Sequence, residues 1–353
     1  MKIAVVTCYK HNDYERARAL RTAVAACPGA EAVIVRNRHK GLLRYPEIAL
    51  KLWRVRWFER PDAYVITFRG YEILLLMALT FVRKPVIFDE LVNFTEWMVE
   101  HGRLRTGSIP YRLFRRWNQW MVKRCRFILA DTDAHAKQSA ILNMLSINRY
   151  KVIPVCADET IFHPDAGADG SQRPFTVLYY GTMVALHGLD YVLQAALLLK
   201  DNPDIQFRLI VGKTGAARDC AKAAAAGARL SHEGWMPLEA LPAAIHQAGV
   251  VLGGPFGNTP QSQSVITGKT YQALACAAPV LIGKNQVSED FKDKQNCLVV
   301  SQANPRALAE AVVWAAAHPK ELVRIGVAGR DLYETRFSQK IVNGLVQEIV
   351  ETL

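Results

Sequence analysis

The chain has 353 residues, half of them hydrophobic and about a fifth charged, which excludes a disordered chain and suffices for one large core or two ordinary ones. Its net charge of +12 is unevenly placed: Lys and Arg number 27 against 17 acids over residues 1–170, and 17 against 15 beyond. The first half therefore meets something anionic or carries a strong solubilising charge.

The first apolar run, Ile3 to Val6, is too short for a signal-peptide core, and the longest, Ile73 to Val82, is too short to span a bilayer. A cytoplasmic protein is expected. Seven scattered cysteines form no CxxC pair and have no matching His spacing, which fits reduced core thiols and predicts no metal site.

Short runs rich in Val, Ile and Leu alternate with helical patterns, as in parallel sheets covered on both faces. Strands are expected near Ile3–Cys8, Ala32–Arg36, Ala63–Phe68, Pro85–Phe88, Phe127–Ala130 and Val152–Val155. A second series follows at Phe175–Gly181, Phe207–Gly212, Arg229–Gly234, Val250–Gly253, Pro279–Gly283 and Cys297–Val300. Two doubly wound α/β units result. The Pro, Gly and Asp cluster between Phe162 and Pro174 holds neither helix nor strand, so the expected division is 1–165, 166–337, and a terminal helix over 338–353. Ser338 is its expected N-cap, and Ile341, Leu345, Ile349 and Leu353 form its apolar stripe, expected to pack back at the domain junction.

Two Gly-Lys-Thr triplets, at Gly212 and Gly268, fail the P-loop pattern, because the places of its first glycine hold Phe207 and Gln263. What remains is positional. Gly268 opens a helix whose free N–H groups and positive dipole end suit a phosphate, with Thr267 as its expected cap. Lys269 and Gln272 lie three residues apart and share a face, so a cation and an amide could touch one ligand. The loop Gly181 to Gly188, with Thr182 and His187, sits at another strand-to-helix junction. Gly234 and Trp235 end a third strand, Lys213 a fourth, and Phe256 and Gly257 lie in a loop after a fifth. Loops at the carboxyl ends of parallel strands form the ligand crevice of such folds.

Leu178-Tyr-Tyr-Gly-Thr-Met-Val-Ala-Leu-His-Gly188 and Lys269-Thr-Tyr-Gln-Ala-Leu-Ala-Cys-Ala-Ala-Pro-Val280 resemble the retaining glycosyltransferases of family four. The segments Phe127–His135 and Ile153–Pro164 look like that family's last strands before the linker. The resemblance implies a GT-B fold, two Rossmann-like domains across a cleft, with a UDP- or GDP-sugar bound by the C-terminal domain and an acceptor held by the N-terminal one. It implies no cofactor and no metal, because basic side chains and helix N-termini neutralise the leaving diphosphate. Retention is attributed to front-face attack, with the diphosphate taking the acceptor proton. The family's phosphate-binding arginine and lysine fall on Thr182 and His187, and its paired glutamates near Ser264 and on Gln272. A subset of the family has a lysine where this chain has Lys269, so Lys269 is expected to replace the missing charge.

In the first half, Lys10, His11, Asn12 and Arg16 are expected near the acceptor, with Asp89 and Glu90 ending the fourth strand; Asp89 serves either the site or a helix or turn cap. Two basic, aromatic stretches, Pro46–Arg60 and Tyr111–Phe127, suit an anionic membrane surface through Arg54, Arg56, Arg115 and Arg116. Alternatively their tryptophans pack on the sheet and their charges are a solvated face. Without a recognisable nucleic-acid module, the membrane is the better partner, and a lipid-linked saccharide agrees with it as acceptor. Other readings are a GT-B epimerase or phosphorylase, or a non-catalytic membrane-binding subunit, the latter supported by Gln272 and His187.

Overall fold

The computed structural model describes residues 1–10, 13–68, 70–79, 83–165, 174–212 and 214–353. Contacts divide the chain into two compact units, one of Met1–Val155 with Gln339–Leu353 and one of Cys156–Ser338.

The first unit runs β1 (Lys2–Thr7), α1 (Glu15–Ala26), β2 (Glu31–Arg36), α2 (Arg44–Arg54), β3 (Ala63–Ile66), α3 (Tyr71–Leu79) and β4 (Val86–Asp89). It continues through α4 (Phe94–Glu100), α5 (Ile109–Val122), β5 (Phe127–Ala130), α6 (Asp133–Asn143) and β6 (Tyr150–Val152). All six strands are parallel, in the order β2-β1-β3-β4-β5-β6. The central strands are buried on both faces, which is why they read as unbroken apolar runs. On one face, residues such as Val6, Ile66 and Phe88 form a single core with Ile48 and Leu52 of α2, Leu74 of α3, Met121 of α5 and Ala140 of α6. The sixth strand begins earlier than its expected Val152–Val155: Ile153 still donates to the Ala130 carbonyl (2.9 Å), but Pro154 has no N–H to extend the ladder.

The second unit runs β7 (Phe175–Gly181), α7 (Leu189–Leu198), β8 (Ile205–Val211), α8 (Thr214–Ala225), β9 (Leu230–Glu233) and α9 (Leu241–His246). Then come β10 (Val250–Leu252), α10 (Gly268–Ala275), β11 (Val280–Lys284), β12 (Leu298–Ser301), α11 (Pro305–Ala317) and α12 (Pro319–Arg336). Its parallel sheet has the order β12-β11-β10-β7-β8-β9. The strand order therefore reverses between β7 and β10, the place where a doubly wound sheet opens a crevice at its carboxyl end. The residues just after β6 belong to this unit because the buried Tyr333 of α12 holds them: its hydroxyl accepts from Ala157 N (3.1 Å) and donates to Glu159 (3.1 Å).

The last helix, α13 (Gln339–Glu351), packs on α1 of the first unit, where Gln339 Nε2 donates to the Ala19 carbonyl (3.1 Å). Two expectations about it are corrected. Ser338 does not cap it, since its hydroxyl donates back to Glu334 O (2.9 Å) and closes α12. The buried face is Val342, Val346, Ile349 and Val350, which keeps Ile349 of the expected stripe and otherwise lies one residue round from it.

Candidate donor site at the β7 to β10 switch point

The loops after β7 and β10 are locked together by two glycines. Gly257 N donates to Leu186 O (3.0 Å), and a Cβ on Gly257 would stand 2.1 Å from the Ala185 carbonyl. Gly188 has φ +67, and a Cβ there would lie 2.6 Å from Gly257 N. Neither place accepts a side chain, so the backbone of residues 181–188 is fixed at the end of the sheet. Phe256, beside Gly257, is buried in the core and anchors this clamp.

Helix α10 arrives at the same edge with its first turn uncapped. Thr267 occupies the N-cap position, but its hydroxyl donates to the Gly253 carbonyl instead of accepting from the helix, which corrects the expected capping role. The free amides that begin a helix remain for an anion. Lys269 is only 6% exposed, yet its Nζ has no hydrogen-bond partner and lies 4.6 Å from the centre of the Tyr179 ring. Burial without a counter-charge pushes its amine down to about 7. Gly181, with φ +132, sits against it: a Cβ there would be 3.7 Å from Lys269 Nζ and 3.9 Å from His187 Cε1. His187 Nδ1 bonds the Thr182 carbonyl (2.8 Å), so Nδ1 carries the hydrogen and Nε2 is left as the acceptor of the neutral ring. Burial, and after it the charge of Lys269, holds the imidazole well below its usual value.

Gln272 is buried on the same helix, its Oε1 accepting from the Tyr180 hydroxyl (2.8 Å). Adjacent Tyr179 and Tyr180 project to opposite sides of β7, one beneath the lysine and the other against the glutamine. Neither was singled out from the sequence; two tyrosines at the end of a strand that leads into a glycine loop were the available signal. At the ends of β8 and β9, Trp235 is 73% exposed and stacks over Gly212, where a Cβ would come within 3.2 Å of it. Gly234 beside it has open space around its Cα, and Lys213 lies outside the described residues. Ser264 is buried in the turn before α10, its hydroxyl on the Gln261 carbonyl (3.3 Å). The structure thus gathers Gly181, Thr182, His187, Lys269 and Gln272 at one edge.

In the first unit, Asp89 and Arg16 are both buried and paired, Nε to Oδ1 at 2.8 Å; Phe68 N also bonds the aspartate, and Arg16 Nη1 reaches Ile153 O at 2.9 Å. Asp89 therefore binds the ends of α1, β3 and β6 together and meets neither solvent nor a turn it could cap. Glu90 is equally occupied, accepting from Tyr71 (3.1 Å), Asn93 (3.1 Å), Asn143 (3.1 Å) and Ser139. The cap nearby is Asn93, which accepts from Thr95 N and starts α4. Lys10 is exposed, and His11 and Asn12 lie outside the described residues. Next to Lys10, the rings of Tyr9, Tyr14 and Phe68 cluster with centroids 5.6–6.0 Å apart at the ends of β1 and β3, the switch point of that sheet. Arg54 and Arg116 are exposed; Arg56 and Arg115 are half-buried, and Arg115 Nε bonds the Leu142 carbonyl (3.0 Å). Among the described residues, no three His, Cys, Asp or Glu stand close enough to hold a metal ion, and no helix is long and apolar enough to cross a membrane.

Residues 174–318 match the family model of glycosyl transferases, group 1. That match spans the second unit's switch point and every residue gathered there. No curated protein matches the chain. Among solved structures, Anabaena Alr3699/HepE in complex with UDP is 13% identical with a TM-score of 0.76 over all of both chains. The sucrose-phosphate synthase of Thermosynechococcus elongatus is also 13% identical, with a TM-score of 0.75 over all of this chain and 98% of its own. A glycosyltransferase from Rickettsia africae is 11% identical, with a TM-score of 0.69 over 99% and 97%. These likenesses establish the GT-B fold.

Proposed function

We propose that the protein transfers a sugar from a nucleoside-diphosphate sugar to a hydroxyl acceptor, with the donor held at the β7 to β10 edge. The observation that carries this reading is Lys269: a lysine this deeply buried, with no carboxylate and no hydrogen-bond partner, is costly unless an anion completes it. The uncapped α10 amides and the bare backbone at Gly181 point to the same place, and a diphosphate matches both. Trp235 offers its exposed face to the base, and Gln272, oriented by Tyr180, serves the sugar. The UDP and UDP-glucose named for the Anabaena complexes are consistent donors.

Transfer then breaks the bond between the anomeric carbon and the diphosphate oxygen as the acceptor oxygen bonds that carbon from the same face. The acceptor proton passes to the departing oxygen and configuration is retained. Lys269 and the α10 amides stabilise the charge on that oxygen, so neither a metal nor a carboxylate pair is needed. His187, neutral with its acceptor Nε2 toward the site, is positioned to hold a donor hydroxyl. Asp89 acts only through Arg16. The acceptor is a lipid-linked saccharide met at the cytoplasmic face of an anionic membrane, a reading supported by Arg54, Arg56, Arg115 and Arg116 and by exposed Trp53, Trp57 and Trp120. All seven cysteines are buried and none forms a disulfide, which agrees with that compartment.

Screening UDP-, GDP- and other nucleotide sugars by thermal shift tests the reading, since a ligand of the native state raises its apparent stability. A stabilising donor should then be transferred or slowly hydrolysed in the presence of chelator. Stabilisation without turnover on any acceptor identifies a binding subunit, and activity that chelation abolishes and manganese restores refutes the metal-independent mechanism.

A further inference from the structure

Helix α2 does not end in a regular turn. Residues Val55–Glu59 continue it as a single π-helical turn closed by Arg60 at φ +51. A π turn re-aims the side chains that a continuous α-helix would place on its buried face. Here it leaves Trp53, Trp57 and Phe58 at 56, 57 and 74% exposure, with Leu50 at 61% on the preceding turn. Behind them, between α2 and α3, lies an open pocket walled by Leu52, Trp53, Trp57, Tyr64, Leu76 and Met77, with Ala49 and Arg56 completing its lining. Apart from the Tyr64 hydroxyl, the indole nitrogens and the Arg56 guanidinium, these side chains present only hydrocarbon and sulfur.

The charge around this pocket is one-sided. Residues 44–60 carry five cations, Arg44, Lys51, Arg54, Arg56 and Arg60, against Glu47 and Glu59. Glu47 is taken by Lys51 and by the amides of Arg38 and His39, and Glu59 by Lys2, so neither acid is paired with Arg54. Tryptophan at an apolar edge with arginine beside it is the arrangement that settles at a headgroup layer.

We propose that this pocket takes one aliphatic chain of an anionic membrane phospholipid, with Trp53, Trp57 and Phe58 lying at headgroup depth and Arg54 and Arg56 facing the lipid phosphate. The proposal rests on the membrane reading above and adds to it a defined lipid site on the first unit, distinct from the donor edge. It converts a screened, long-range attraction into a saturable one: charge brings the surface to the bilayer, and the chain holds it there.

The test uses the full chain and three probes: dihexanoylphosphatidylglycerol below its critical micelle concentration, glycerol 3-phosphate, and anionic vesicles. The short-chain lipid should quench or shift tryptophan emission saturably, while glycerol 3-phosphate at the same concentration does not. Ala49→Phe, which fills the pocket without changing charge, should weaken that binding at least tenfold while nucleotide binding stays intact. Trp57→Ser, at an exposed wall, should also weaken it and guards against misfolding of the first variant. Equal responses to glycerol 3-phosphate, or undiminished binding in both variants, would overturn the pocket while vesicle sedimentation still stands. Failure to sediment with anionic vesicles at low salt would overturn the membrane reading and the pocket with it.

Discussion

The carboxyl edges of the two sheets carry buried charge in opposite ways. In the first unit Arg16 meets Asp89 at 2.8 Å, and Glu90 receives donors from four side chains. In the second, Lys269 is as deeply buried with no bonded partner. A buried charge with its partner in the chain serves the fold, whereas one without it is a cost to the fold that a bound anion, or loss of the proton, removes. On the proposed reading, that contrast places the donor chemistry in the second unit, although the first carries more of the ionisable side chains.

The largest effect expected from this contrast is on stability. Arg16→Ala leaves Asp89 buried and unpaired and should destabilise the protein by about 3–5 kcal/mol in denaturant unfolding. Lys269→Met should do the reverse, gaining about 2–4 kcal/mol at neutral pH because it removes an uncompensated amine. The sign of the pH dependence follows from the direction of the shift. Folding lowers the Lys269 value to about 7, so between there and the unfolded lysine's value the unfolded chain binds more protons. Wild-type stability should therefore rise with pH across that window, and the advantage of Lys269→Met should shrink toward alkaline pH. An equal advantage at all pH values would mean that folding does not lower the amine's pKa.

A smaller effect is expected on binding. Lys269→Ala should cost roughly 1.5–3 kcal/mol of nucleoside-diphosphate affinity, the worth of one charge-assisted bond. Gln272→Ala should cost less for the free diphosphate than for the nucleotide sugar, because the amide serves the sugar. Titration of both variants with the nucleotide and its sugar separates these roles, and equal losses for the two ligands would place Gln272 on the phosphate.

The central strands were legible because parallel strands buried on both faces leave unbroken apolar runs, as in Ile3–Val6 and Val250–Leu252, whereas the edge strands β2 and β9 are largely half-buried or exposed. The three-residue spacing of Lys269 and Gln272 also translated directly into a shared edge. What stayed hidden was set by tertiary partners. Arg16 and Asp89 stand 73 residues apart, and Tyr180 and Gln272 92 apart, so nothing local separates a paired acid from a reactive one. Thr267 and Ser338 stand where caps belong, yet carbonyls at Gly253 and Glu334 took their hydroxyls.

The central claim, that Lys269 waits for an anion, is tested most directly by calorimetric titration of the nucleoside diphosphate at pH 8 in buffers of different ionisation enthalpy. An amine near 7 is about nine-tenths neutral there and must be protonated by the arriving diphosphate. The account predicts uptake of close to one proton by the wild type and little by Lys269→Met. Binding without proton uptake, or the same uptake in the variant, would contradict it.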